Sequence, residues 1–87
     1  LLQLPMATHP VLTAASLGHL LQSARKSQGL TQAELAARVG ISQARLSALE
    51  RMPGTLSVDQ LLALCSSLQL QLAIGPKAPG TAPATDW

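Results

Sequence analysis

The stretch LTQAELAARVGISQARLSALER, Leu30 to Arg51, places two short polar-faced segments on either side of Gly40. Thr31 followed by Glu34 spells a capping box, in which hydroxyl and carboxylate reciprocally satisfy free amides at a helix start; this predicts a helix over Gln32–Val39. Gly40 closes it. Ser42 then caps a second helix, Gln43 to about Arg51, with Leu46 and Leu49 facing inward.

Working outward, Leu17, Leu20, Leu21 and Ala24 follow the i, i+3, i+4, i+7 spacing of one buried face, predicting a helix over Ser16–Ser27 that Gly29 ends. Residues 1–15, with Pro5 and Pro10, read as an irregular arm, although LLQL at its start can pair as a short strand. Pro53 and Gly54 break the chain after the second capped helix. Ser57 can cap a further helix, Val58–Ser67, with Val58, Leu61, Leu62, Cys65 and Leu68 as its apolar stripe.

Leu68, Leu70, Leu72 and Ile74 then alternate with Gln69, Gln71 and Ala73, the period-two pattern of a half-buried strand beginning near Gln69. With no second convincing strand in the chain, the simplest partner is the same strand from another copy, giving an antiparallel ribbon across a homodimer. After Gly75 the segment PKAPGTAPATD is too poor in apolar residues to fold, yet it ends in Trp87. The expected organisation is an arm (1–15), a helical domain (16–68), a dimerising strand (69–75) and a tail (76–87).

Eighty-seven residues make one small domain, which buries a modest share of its surface and gains from a partner copy. Formal charge is only +2, but Arg25, Lys26, Arg38, Arg45 and Arg51 fall in a segment whose only acids are Glu34 and Glu50. A clustered basic face suits nucleic acid, and equally a solvated surface. Cys65 is the only cysteine, so no internal disulfide and no cysteine-rich zinc site can form; this fits a reducing cytoplasm, and its apolar neighbours read it as a small buried hydrophobe. No apolar run approaches the roughly 20 residues that span a bilayer, and the first residues do not read as a signal peptide.

His9 and His19 stand ten residues apart without acidic ligands, so no metal or cofactor is expected. Glu50 invites comparison with a catalytic acid beside Glu34, but Glu34 is taken as a cap, and the chain is too short to build an enzyme pocket comfortably.

Two short helices linked by a glycine-containing turn are the sequence form of a helix-turn-helix, whose second helix enters the DNA major groove. Gln43 and Ala44, opening that helix, are placed to meet base edges: Gln can pair with adenine and Ala can touch a thymine methyl. Arg45 and Ser47 are expected on the same exposed side, and Ser42 and Arg38 are counted with this DNA-facing set.

Thr-Gln-x-Glu-Leu-Ala, then Gly-Ile-Ser, Gln43 and Leu-x-x-Leu-Glu, over roughly Leu17–Leu68, resemble the lambda-repressor-like (Xre) family. The resemblance implies an all-α helix-turn-helix domain of four to five helices. It gives Gln32 a DNA-phosphate contact beside its helix N-terminus, where the dipole already favours anions, and it pairs Glu50 with Arg25 in a partly buried bridge. Ala48 departs from it, standing where the family is frequently polar, so fewer bases are expected to be read there.

The strand (Leu70, Leu72, Ile74) and the Trp-ended tail further resemble the HipB-like antitoxins of that family. This implies a bacterial, nucleoid-associated repressor dimer on an inverted-repeat operator, bound through Trp87 to a HipA-like kinase toxin. A stand-alone Xre-type repressor and a protein-interaction module that has lost DNA binding stay open as alternatives.

Overall fold

The computed structural model describes residues 9–77. Four α-helices follow in order: α1 (Ala14–Ser27), α2 (Gln32–Val39), α3 (Gln43–Arg51) and α4 (Val58–Ser67), with a 3-10 turn at Pro53–Thr55 between the last two. Each α-helix is capped by a hydroxyl. Thr31 and Ser57 form full capping boxes with Glu34 and Gln60, while Ser42 accepts from the Arg45 amide.

α1 begins two residues before the start expected at Ser16, because Thr13 accepts the Ser16 amide at 3.0 Å. Ala14 and Ala15 carry no periodic apolar signal, so the cap alone sets this boundary. Gly29 (φ 72°) and Gly40 (φ 78°) close α1 and α2 in the left-handed conformation. Past each glycine a backbone amide turns back, Leu30 to the Arg25 carbonyl and Ile41 to that of Ala36.

α4 ends the same way, with the Leu70 amide donating to the Cys65 carbonyl at 2.8 Å, but its left-handed residue is Gln69 (φ 60°). Gln69 therefore closes a helix instead of opening a strand, correcting the boundary expected there. Within this single chain residues 69–77 form no helix and no strand. A strand exists only through a ladder partner, and none of the described residues supplies one. Residues 1–8, including LLQL, and 78–87, including Trp87, lie outside the described residues.

The core gathers Leu21, Leu35, Ala36, Leu46, Leu64, Cys65 and Leu68, with Leu49 buried beside them. Burial pushes the Cys65 thiol pKa up, as for a sulfur packed like a small hydrophobe. On α4 the inward face runs through Leu61, Leu64, Cys65 and Leu68, a helical i, i+3, i+4, i+7 set that includes Leu64. Val58 and Leu62, expected on that stripe, are 68% and 48% exposed.

Gly18 is buried where α1 crosses the end of α3: a Cβ there would stand 2.9 Å from the Glu50 carbonyl oxygen and 2.7 Å from Pro53 Cγ. At the other end of α1, Gln28 donates from Nε2 to the Leu68 carbonyl at 2.6 Å, tying the ends of α1 and α4 together. Gly18→Ala gains up to about 1 kcal/mol of helix propensity but must push α3 and Pro53 away, so the variant is expected to lose about 1–2 kcal/mol net in urea unfolding. Gln69→Gly should gain about 0.5–1 kcal/mol by relieving the left-handed conformation; an unchanged midpoint would contradict the closure of α4 described above.

Candidate nucleic-acid interface

Arg25, at 7% exposure, is the buried charged residue of the described core. Its Nε donates to Glu50 Oε2 at 2.7 Å, its Nη2 to Oε1 at 3.1 Å and its Nη1 to the Leu30 carbonyl at 3.0 Å. Gln32 Nε2 adds a fourth bond, to Glu50 Oε1 at 3.0 Å. Both carboxylate oxygens are thereby satisfied, as a buried charge requires. The same bonds hold α1, the entry to α2 and the last turn of α3 in one arrangement.

At the start of α2 the Thr31 amide donates to Glu34 Oε1 at 2.8 Å, and the Glu34 amide to the Thr31 hydroxyl at 3.0 Å. The Thr31 amide and hydroxyl, with Arg38 one turn away, hold the Glu34 carboxyl below its usual range. A lowered carboxylate stabilises the fold above its unfolded-state pKa and loses that contribution as pH falls through the folded value. Among the described residues the amides of Gln32 and Ala33 have no such partner and face outward from the helix start, the usual seat of an anion.

On α3, Gln43, Ser47 and Arg51 are spaced by four and share one stripe, with Ala44 beside it. Gln43, Ala44 and Arg51 are exposed; Ser47 and Ala48 are half-buried. Arg45 does not join this stripe. Two residues from Ser47 is about 200° of helix rotation, and Nη2 of Arg45 instead meets Gln60 Oε1 on α4 at 3.4 Å. The Ser42 hydroxyl accepts the Arg45 amide at 3.0 Å, so its oxygen serves the helix cap. Arg38 is exposed in the last turn of α2, one turn on from Glu34.

A cleft of about 270 Å³ opens beside the stripe, lined by His19 and Gln22 of α1, Gln32 of α2, and Ser47, Glu50 and Arg51 of α3. Sequence reading missed His19 and Gln22 as members of this surface. Their spacing of three places both on one side of α1, but only the packing of α1 against α3 brings that side to the cleft. No group of three or more potential metal ligands occurs among the described residues, and no helix there is long and apolar enough to cross a membrane.

The helix-turn-helix family pattern matches residues 21–74, more than half of the chain. The chain belongs to the helix-turn-helix family. It is 29% identical over 69 residues to the antitoxin HipB of Escherichia coli O6:H1, covering 79% of this chain and 73% of the relative. Against the HipB of Escherichia coli K12 the identity is 28%, covering 79% and 78%.

Among solved structures, a HipB–O1–O2 complex superposes with a TM-score of 0.73 at 26% identity, over 79% of this chain and all of the other. A HipA–HipB–O2–O3 complex superposes with a TM-score of 0.76 at 25% identity, over 82% of this chain and all of the other. The likeness is thus to HipB antitoxins and to HipB in complexes.

Removing the Arg25 side chain leaves a buried carboxylate with only the Gln32 amide. Arg25→Ala is expected to cost about 3–5 kcal/mol of folding stability, read by thermal or urea denaturation; full stability in that variant would show that the pair carries no structural burden.

Proposed function

We propose that this chain is a sequence-specific DNA-binding repressor that acts as a homodimer on an inverted-repeat operator. In that reading it serves as the antitoxin of a HipBA-like toxin-antitoxin operon. The observation that carries it is the alignment of Gln43, Ser47 and Arg51 on the exposed side of α3, next to Gln32 at the start of α2, in a chain similar to HipB over about four-fifths of its length.

Gln43 reads a base edge, with Ala44 beside it against a thymine methyl, and Ser47 follows one turn on. Gln32 meets a phosphate at the α2 start; the Glu50 bond takes one hydrogen of its carboxamide and leaves the other free. Ser42 and Arg45 border this face, with Arg45 held back toward Gln60, and Arg38 adds only general positive charge.

Dimerisation runs through the segment that follows the closure of α4, residues 70–74. Leu70, Leu72 and Ile74 are 39%, 43% and 97% exposed in the single chain, an apolar row that a second copy covers by strand pairing. Leu70 donates its amide to α4, so the ladder begins beyond it. The protein partner is a HipA-like kinase, in keeping with the HipA–HipB complex among the similar structures. The tail 76–87 reaches that partner, and Trp87, the chain's one aromatic residue, is its anchor.

A mobility shift on the DNA upstream of the protein's own gene tests the reading. Gln43→Ala should lose about 1–3 kcal/mol per half-site and relax discrimination at one base position, whereas Gln32→Ala should weaken all sequences alike. Identical specificity profiles for the two variants would overturn the division into base and phosphate contacts. Leu70→Lys with Leu72→Lys sets like charges across the ribbon, so sedimentation should give monomers; an unchanged dimer would remove the strand from the interface.

A further inference from the structure

The segment that follows α4 leaves the helical domain through Leu68 and Gln69, and hydrogen bonds of two origins hold that exit. From α4 itself, the Ser66 carbonyl accepts the Gln69 amide at 3.2 Å and the Cys65 carbonyl accepts the Leu70 amide at 2.8 Å. From another helix, Gln28 Nε2 donates to the Leu68 carbonyl at 2.6 Å, across 40 residues of chain. Leu68 is buried in the core at 1% exposure, and Gln69 follows it at φ 60°. Apolar packing of the Leu68 side chain holds its position without a preferred direction. A bond to its carbonyl is directional, and because the peptide is planar it orients the whole unit that opens the exit.

Gln28 is not free to follow that peptide. Its own amide caps α1, donating to the Ala24 and Arg25 carbonyls at 3.2 Å each. Arg25 in turn grips Glu50 in the last turn of α3. A run of directional bonds therefore leads from the exit through Gln28, the end of α1 and Arg25 to the helix that carries Gln43 and Ser47. We propose that Gln28 is a positioning residue for operator recognition: it fixes the direction in which the dimerising segment leaves the domain relative to α3, and so sets the half-site spacing that the dimer accepts. The inference rests on the dimeric DNA-binding reading above.

In this role Gln28 acts through geometry and not through a DNA contact of its own. One base pair changes the separation of two half-sites by about 3.4 Å and their relative rotation by about 35°. Two recognition helices held rigidly to one ribbon match a single spacing, whereas a loosened exit lets each domain swing to meet a neighbouring one. Gln28 is itself exposed and stands outside the apolar core. Loss of its carboxamide therefore frees the Leu68 carbonyl to water and loosens the exit while the helices stay packed.

The test is fluorescence anisotropy with labelled duplexes from the region upstream of the protein's own gene. One carries the inverted repeat located there by hydroxyl-radical footprinting; two more have a base pair added to or removed from its centre. The unsubstituted protein should bind the altered spacings about tenfold more weakly or worse. Gln28→Met, similar in length but without a donor, should hold the parent spacing to within about threefold and lose no more than about threefold further on the altered ones. Gln28→Lys restores a donor, and its added charge acts on all spacings alike, so the preference for the parent spacing should return. Sedimentation should show both variants as dimers. A Gln28→Met variant that keeps the full spacing penalty, or that weakens on every spacing equally, overturns the positioning role and leaves DNA binding in place; so does an unsubstituted protein that binds all the spacings alike. Failure of the unsubstituted protein to bind any upstream duplex overturns the DNA-binding reading and this inference with it.

Discussion

Arg25 and Glu50 are separated by 25 residues and by a helix-turn-helix, yet their side chains meet with both carboxylate oxygens engaged at 92% or greater burial. A charge taken that far out of water is tolerated only when its partners sit in good geometry, and that condition constrains everything attached to it. Leu30 is held from two sides, its carbonyl by the Arg25 guanidinium and its amide by the Arg25 carbonyl. This fixes where α2 begins. Gln32, two residues later, completes the Glu50 shell and is held in one orientation by that bond.

The consequence is a surface whose functional groups are positioned by the core and not by their own flexibility. α3 carries the exposed stripe, and its last turn is anchored by Glu50 on one side and by the close approach of Gly18 on the other. The 3-10 turn at Pro53–Thr55 follows at once and packs against α1. An α3 anchored in this way can present Gln43 and Ser47 in one register, which a reader of base edges needs. The hydroxyl caps at Thr31, Ser42 and Ser57 add the local definition of each helix start.

The surface from α4 onward has a different character. Val58, Leu62, Leu70, Leu72 and Ile74 leave apolar area in water that a small domain ordinarily hides. Polar donors and cations are exposed on α2 and α3, and aliphatic side chains on α4 and after it.

Much of the fold was legible because its decisive signals are local. Capping boxes act over three residues and glycine closures over one, and apolar spacing over two turns tells a helix from a strand; the bounds of α2, α3 and α4 follow from these alone. The same locality explains the failures. Thr13 as a cap was hidden by the small residues after it, and the alternation from Leu68 to Ile74 could not reveal that Gln69 takes φ 60° to close α4.

What only the tertiary structure decided are the meetings between distant residues: Gly18 against Glu50 and Pro53, Gln32 on Glu50, Arg45 on Gln60, and His19 facing Ser47 and Arg51 across one cleft. The sequence named the helices, but a helix has several faces. Which of them meet depends on the sum of packing and buried-charge constraints across the whole chain, and no short window of residues contains that sum.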